Sequence, residues 1–92
     1  MNNQRRKDIR KAIELVNEAV AALENAKSIL ETASEEEREA YENLPESIQD
    51  GERGDKMSEY CDYIDNVVDS IDTQIGEITD CVDSLENGGV LD

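Results

Sequence analysis

The sequence contains no histidine, no tryptophan and no phenylalanine, and it has only one proline and three tyrosines among its 92 residues. The chain has no glycine-rich phosphate loop, and without histidine no nucleophile has a base within sequence reach. We therefore expect no enzymatic activity. A di-metal centre in a helical bundle would typically need Glu-x-x-His motifs, which are also missing. The sequence therefore predicts no catalytic, cofactor-binding or metal-binding residues.

Long apolar runs are missing as well. No stretch of about 18 apolar residues is present, and the N-terminus lacks the apolar block of a signal peptide, so we expect a soluble, cytoplasmic protein without membrane contact. Cysteine is scarce: Cys61 and Cys81 lie on one predicted helix, separated by roughly 30 Å at about 1.5 Å per residue, too far apart for a disulfide. We expect two buried, reduced thiols.

Positive charge is in short supply. The chain has nine Lys and Arg residues and 24 Asp and Glu residues, which gives a formal net charge of -15. Such self-repulsion opposes compaction and, with few apolar residues, would favour disorder. The regular spacing of the apolar residues predicts an ordered chain instead.

Seven-residue apolar repeats run through both halves of the chain and predict two long helices. The first half carries four rows: Ile9, Val16, Leu23 and Leu30; Ala12, Ala19, Ala26 and Ala33; Ile13 and Val20; and Leu15, Ala22 and Ile29. The main row of the second half is Met57, Ile64, Ile71, Ile78 and Leu85. We expect one domain, 1–92, with helices over about 4–43 and about 53–87 and a connector over 44–52.

The residues between the repeats predict how the helices are joined. Pro45 ends the first helix, Gly51 and Gly54 suit positive φ angles, and Asp55 is able to cap the second helix. A connector of this length returns the second helix antiparallel to the first. The predicted fold class is therefore all-α, an antiparallel two-helix hairpin of the coiled-coil type. A capping box that begins at Ser34 leaves a break in the first helix as an alternative.

The width of the apolar face predicts self-association. Matching the bulky rows of the two helices pairs Leu23 with Ile71, and this seam leaves the row of Leu15, Ala22 and Ile29 uncovered. Two helices alone bury too little apolar area for comfortable stability. We therefore expect a homodimer that forms a four-helix bundle, with these three residues buried between the chains.

The connector carries the most specific motif, Leu-Pro-Glu-Ser at 44–47 followed by Glu-Arg-Gly at 52–54. It resembles the connector of a family of short, acidic helical-hairpin proteins from phages and mobile elements of Gram-positive bacteria. The match covers the connector, and the flanking helices are similar in pattern. The resemblance implies a bacterial host cytoplasm and a setting in which small acidic proteins often inhibit host defences. It implies no mechanism.

Carboxylates at helical spacing form an acidic face on the second predicted helix: Glu59, Asp62, Asp65, Asp69 and Asp72. Carboxylates about 4.5 to 6 Å apart along a rigid helix are able to imitate a phosphate backbone toward a basic groove. The main hypothesis is a phage or mobile-element inhibitor that occupies a basic, nucleic-acid-binding surface of a host defence or regulatory protein, without binding nucleic acid itself. The alternative is a solvated face that keeps the protein soluble.

The connector supports a second hypothesis. Ser47, Gln49 and Arg53 are candidate ligand-binding residues, because Arg53 and the backbone N–H groups that begin the second helix are able to hold an anionic group. An oligomer would then bind or sequester an anionic small ligand or signalling nucleotide. In the structural alternative, Leu44 and Ile48 close the end of the bundle and Arg53 pairs with a glutamate. A third hypothesis is a structural coiled-coil assembly protein.

The N-terminus departs from the acidity of the rest. Five cations lie within Arg5 to Lys11. The predicted register sets them beside Asp80, Asp83 and Glu86, so we expect intramolecular ion pairs rather than a nucleic-acid-binding arm, which would also carry interleaved aromatic residues.

Overall fold

The computed structural model describes all 92 residues and contains three helices: α1 (Asn3–Glu42), α2 (Glu46–Gln49) and α3 (Glu52–Asn87). α1 and α3 pack antiparallel along their lengths, which confirms the all-α hairpin. The molecule is a rod of 68 × 15 × 15 Å with a radius of gyration of 20.4 Å. A compact domain of this length would have a radius of gyration of roughly 12 Å. Most of the chain is therefore close to solvent.

Residues at alternating three- and four-residue spacing form the seam between the two long helices, as in a coiled coil. On α1 the seam residues are Ile9, Ile13, Val16, Val20, Leu23, Lys27, Leu30, Ser34, Glu37 and Tyr41. On α3 they are Gly54, Met57, Cys61, Ile64, Val68, Ile71, Ile75, Ile78 and Val82. The predicted row that begins at Ile9 lies in the seam. Its neighbour is the row that begins at Ile13, whereas the alanine row is exposed.

The fully buried part of the seam is small. Ile13, Cys61 and Val82 are its buried apolar side chains, and Ser34 and Gly54 are the other buried residues. The remaining seam residues are half-buried, so the hairpin rests on partial burial distributed along its whole length. Neither long helix has the unbroken apolar stretch that crossing a bilayer requires.

Contacts across the seam fix the register of the helices. The Ser34 hydroxyl donates to Asp65 Oδ1 at 2.7 Å, and the Ser34 carbonyl lies 3.7 Å from the Cys61 thiol, which donates to it. Carried along the repeat, this register puts Leu23 level with Ile75, one helical turn from its predicted partner Ile71. The prediction paired each bulky row with the equivalent row of the other helix. In an antiparallel pair, each layer instead joins a residue from one row of the 3-4 repeat with a residue from the other row of the partner helix.

The ends of α1 follow local capping chemistry. The Asn2 side chain accepts a hydrogen bond from the Arg5 backbone N–H at 2.9 Å, which satisfies one of the free donors of the first turn. α1 then runs through Ser34 without the break that the capping-box pattern allowed. It ends at Glu42, against a predicted end at about residue 43.

The two ends of α3 differ from each other. Gly51 is the N-cap residue and makes no side-chain hydrogen bond. Asp55 lies inside the first turn, where its backbone N–H donates to the Gly51 carbonyl at 3.0 Å. The predicted capping role of Asp55 is therefore wrong. The expected positive φ at Gly51 and Gly54 is also wrong, because Gly89 alone has one, at 85°. Gly89 follows the last turn of α3, where glycine commonly ends a helix.

Candidate interaction surfaces

The structure divides the predicted acidic face into two groups. Asp62 and Asp69 are exposed, and their carboxylates form no hydrogen bond or ion pair. Asp65 and Asp72 turn toward α1 and bind its side chains. Both carboxylates are therefore paired within the chain, although Asp72 is exposed and Asp65 is half-buried, and their role in binding a partner stays a prediction. Their contacts with Ser34, Arg38 and Lys27 place both at the edge of the interface between the long helices.

Asp65 is the centre of a polar contact between the long helices. It accepts hydrogen bonds from the Ser34 hydroxyl and from the guanidinium of Arg38, and these bonds hold the pKa of the Asp65 carboxyl below its ordinary value, with Ser34 the larger cause. The same ion pair raises the pKa of Arg38. Because Ser34 is buried in the seam, the contact fixes one layer of the register.

Lys27 makes the second polar contact across the helices. Its Nζ lies 2.5 Å from Asp72 Oδ1 and 3.7 Å from Glu31 Oε1, and the hydrogen bond to Asp72 raises the pKa of the lysine. Lys27 occupies a seam position that an apolar residue would normally fill. Its stem packs in the seam while its ammonium group reaches the flank. Asp65 and Asp72 thus mark one polar flank of the hairpin.

Glu59, the remaining member of the predicted acidic face, is exposed, and its carboxylate has a hydrogen-bond partner within the chain. Its carboxylate accepts a hydrogen bond from the Tyr63 hydroxyl one turn along the helix, and that bond raises the pKa of Tyr63. The exposed phenol ring and carboxylate together make this part of α3 amphipathic. A partner that binds here meets both an aromatic surface and a negative charge.

Four of the carboxylates that remain free on α3 are aspartates between residues 62 and 83, and we call them the outer acidic face: Asp62, Asp69, Asp80 and Asp83. All four are exposed and none is in an ion pair. Their negative charge continues into the connector end of the rod, since residues 35–62 contain eleven acidic and three basic residues. The electrostatic potential is therefore most negative toward that end.

The connector is held by Gln49. Its side-chain Nε2 donates to the backbone carbonyls of Tyr41, Glu42 and Leu44, at 3.0, 3.2 and 3.1 Å. These carbonyls lie at the end of α1 and just beyond it, where a helix leaves acceptors without intrahelical partners. The Tyr41 carbonyl also accepts a hydrogen bond from the Leu44 backbone N–H at 3.1 Å. Gln49 thus has a structural role that uses its amide donors within the chain, and its ligand-binding role stays a prediction.

Gly54 explains why α2 lies so close to α3. A Cβ at this position would stand 2.0 Å from the Gln49 carbonyl oxygen and 2.6 Å from its carbonyl carbon. Only glycine allows this approach. From the sequence, Gly54 was expected to supply a positive φ angle, and its packing role was not predicted. The seven-residue spacing from Gly54 to the buried Cys61 was the available signal.

Arg53 and Ser47 are exposed and remain free. Arg53 makes no ion pair, so the expected pairing with a glutamate is absent. It lines an open cleft of about 430 Å³ with Glu52, Lys56, Met57 and Tyr60. Lys56 is paired with Glu52 at 3.2 Å. Ser47 lies on the exposed side of α2 and does not line this cleft. The three candidate connector residues therefore do not converge on one site.

The predicted self-association residues are on the surface of the hairpin. Leu15 is 52% exposed and Ile29 is 70% exposed, and Ala22 between them is exposed too. The seam therefore leaves this row uncovered, as the width of the apolar face indicated. Tyr60 and Val67 of α3, each about half exposed, flank the seam on the side opposite Asp65 and Asp72. One flank of the rod is polar and the other is largely apolar.

The basic N-terminal segment does not pair with α3. Arg10 donates to the Leu91 carbonyl, Lys11 pairs with Glu14 one turn away, and Arg6 donates to Asn3. The expected pairs with Asp80, Asp83 and Glu86 are absent, so that prediction is wrong. Because the true register is displaced by about a turn, the segment lies level with the last residues of the chain.

Both cysteines are free, with Cys61 buried as expected and Cys81 exposed contrary to expectation. Cys81 lines an apolar cleft of about 380 Å³ together with Val16, Ile78, Val82 and Leu85, among others. No group of three or more Cys, Asp or Glu side chains is arranged to hold a metal ion. Comparison with models of known protein families, with curated proteins and with solved structures finds no match to the chain.

Proposed function

We propose that the protein is a non-enzymatic interaction protein that binds a basic surface of another protein through the outer acidic face of α3. The observation that carries this proposal is the set of exposed carboxylates, Asp62, Asp69, Asp80 and Asp83, none of which has a partner within the chain. They stand on a single continuous helix of 36 residues. A rigid array of charges binds a complementary surface without first losing conformational entropy.

The charge distribution of the rod supports the same proposal. The outer acidic face leads into the connector end, where acids outnumber bases eleven to three over residues 35–62. A field of one sign over an extended surface steers an oppositely charged partner and raises its rate of association. Basic surfaces that accept such a rod include grooves built for a nucleic-acid backbone. In the setting implied by the connector resemblance, the partner is a host defence or regulatory protein.

A second candidate function is favoured by the unpaired Arg53, which lines a cleft of about 430 Å³ beside the connector. A cation in a cleft is able to hold an anionic small ligand. Two observations weigh against this candidate. Gln49 is committed to backbone carbonyls, and the acidic residues around the connector repel an anion. We therefore place the acidic interaction first, and a purely structural assembly role third.

The experiment that tests the proposal is capture of a partner with tagged protein from the lysate of a Gram-positive bacterium, washed at low and at high salt. We expect a captured protein to be basic and to be lost as salt rises, since exposed charges are screened over about 10 Å at 0.1 M salt. The captured protein is then purified and its dissociation constant is measured. Capture that resists 1 M salt, or a partner without a basic surface, would contradict the proposal.

A further inference from the structure

A second 3-4 repeat, distinct from the seam, runs along the exposed side of α1. It consists of Ala12, Leu15, Ala19, Ala22, Ala26, Ile29 and Ala33, and we call it the outer apolar face. Every one of these residues is exposed in the hairpin. The repeat extends for about 32 Å along the helix at about 1.5 Å per residue. Its spacing is the one by which a helix packs against another helix.

The outer apolar face is also free of charge, although 36% of the chain is charged. Between Ala19 and Ala33 the charged residues are Glu24, Lys27 and Glu31. Lys27 lies in the seam and binds Asp72 and Glu31, so this charge belongs to the polar flank. A solvated helix face in so acidic a protein would carry glutamates at these positions. Their absence indicates a face that becomes buried.

The exposed area of the hairpin is too large for its mass. The accessible surface is 6565 Å² for a chain of 10.3 kDa. A folded monomer of that mass exposes roughly 5,400 Å². The excess of roughly 1,200 Å² is enough for a standard protein interface, which buries about 800 Å² of each partner. The hairpin thus carries exposed surface that self-association would bury.

We propose that the outer apolar face binds the outer apolar face of a second copy, with the two α1 helices antiparallel about a two-fold axis near the middle of the repeat. In this arrangement Leu15 packs against Ala33 of the second copy, and Ile29 packs against Ala19. Each bulky side chain meets an alanine, so the helices approach closely and leave no gap. Ala22 and Ala26 meet beside the axis.

Charge complementarity selects the antiparallel orientation. None of the five cations of the Arg5–Lys11 segment forms an ion pair with α3. None of the five glutamates of the Glu35–Glu42 segment is in an ion pair. The two-fold axis lays the basic segment of one copy along the glutamate-rich segment of the other, with Lys11 near Glu39. A parallel pair would instead place like charges together at both ends, which costs free energy.

The proposal is tested first by sedimentation equilibrium of the full chain at tens of micromolar. We expect a dimer, and a monomer at these concentrations would overturn the proposal. Ala22→Glu places a charge in the desolvated face and is expected to weaken the dimer by about a hundredfold or more. The matched control is Ala21→Glu, the same change at the adjacent exposed residue, which lies outside the repeat and should leave the dissociation constant within about threefold. Circular dichroism reports whether both variants remain helical.

Orientation is tested by disulfide cross-linking in a Cys81→Ser background, in which the remaining Cys61 is buried. Chains with Leu15→Cys are mixed with chains carrying Ala33→Cys and oxidised. The antiparallel pair predicts cross-links mainly between unlike chains, whereas cross-links mainly between like chains would overturn the proposed orientation. As a second check, Lys11→Glu should weaken the dimer and the added change Glu39→Lys should restore it. Equal effects of Ala21→Glu and Ala22→Glu would also overturn the proposal.

Discussion

Replacing Gly54 by alanine tests the packing of the connector against α3. The added Cβ would stand 2.0 Å from the Gln49 carbonyl oxygen and 2.7 Å from the Gln49 Cα. Both atoms belong to the backbone, so no side-chain rotation relieves the overlap. A normal contact needs roughly 3.5 Å, so the backbone at Gln49 must move away from α3 by more than about 1 Å.

The expected loss of stability follows from what this movement breaks. The Gln49 amide bridges three carbonyls at 3.0 to 3.2 Å, and each lost hydrogen bond costs about 1 kcal/mol. Overpacking adds about 1 to 3 kcal/mol, and the better helix propensity of alanine returns at most about 1 kcal/mol. We therefore expect Gly54→Ala to lower the free energy of unfolding by about 2 to 4 kcal/mol.

The matched control is Gly76→Ala, the same change further along α3. A Cβ at Gly76 meets no atom within 4 Å, so alanine should raise stability by about 0.5 to 1 kcal/mol. Urea denaturation followed by circular dichroism measures both variants against the parent. One fixed protein concentration is used, because the proposed self-association would make stability concentration-dependent. The reasoning fails if Gly54→Ala is as stable as the parent, or if the two variants shift in the same direction.

Three further predictions concern the seam and the connector. Asp65→Asn weakens the contact with Ser34 and should lower the urea midpoint, whereas Asp69→Asn at an exposed position on α3 should leave it unchanged or slightly higher. Folding lowers the pKa of the Asp65 carboxyl. The stability that this carboxylate contributes is therefore complete above its unfolded pKa of about 4, and it is lost as the pH falls through the lower pKa of the folded state. The stability difference between the parent and Asp65→Asn should therefore be constant from pH 7 to about 5 and vanish toward pH 2, and a difference that grows on acidification would refute this sign. Gln49→Ala should lower the free energy of unfolding by about 1 to 2 kcal/mol, while Gln74→Ala, at an exposed position, should change it by less than about 0.5 kcal/mol.

The hairpin could be predicted because its apolar periodicity is regular. Both helices follow from repeats that begin at Ile9 and Met57, and the structure confirms the antiparallel pairing. The register was harder to predict, because three seam positions on α1 are polar: Lys27, Ser34 and Glu37. A row interrupted by polar residues does not stand out as a core row, and the alanine row beside it appeared more regular.

The acidic and connector residues were predicted less well, for a related reason. Spacing along one helix does not show which carboxylates meet cations on another, and Asp65 and Asp72 do so. Gln49 appeared to be a ligand-binding residue because its backbone acceptors lie several residues away, at the end of α1. Such contacts depend on a close approach of α2 to α3 that only the folded chain reveals.

Binding of a basic partner by the outer acidic face is tested by comparing two charge variants of equal net charge. In the first, Asp62, Asp69, Asp80 and Asp83 are changed to Asn. In the second, four exposed glutamates of α1 are changed to Gln: Glu18, Glu24, Glu35 and Glu42. Each variant loses four negative charges, and none of the eight carboxylates is in an ion pair.

The measurement is the dissociation constant of each variant for the purified partner at about 0.1 M salt, where exposed charges still act over about 10 Å. We expect the α3 variant to lose at least about tenfold more affinity than the α1 variant, with both variants still helical. Equal losses would mean that the partner responds to net charge alone. Full affinity of the α3 variant, together with loss of binding by Arg53→Ala, would contradict the account and place the binding site at the connector.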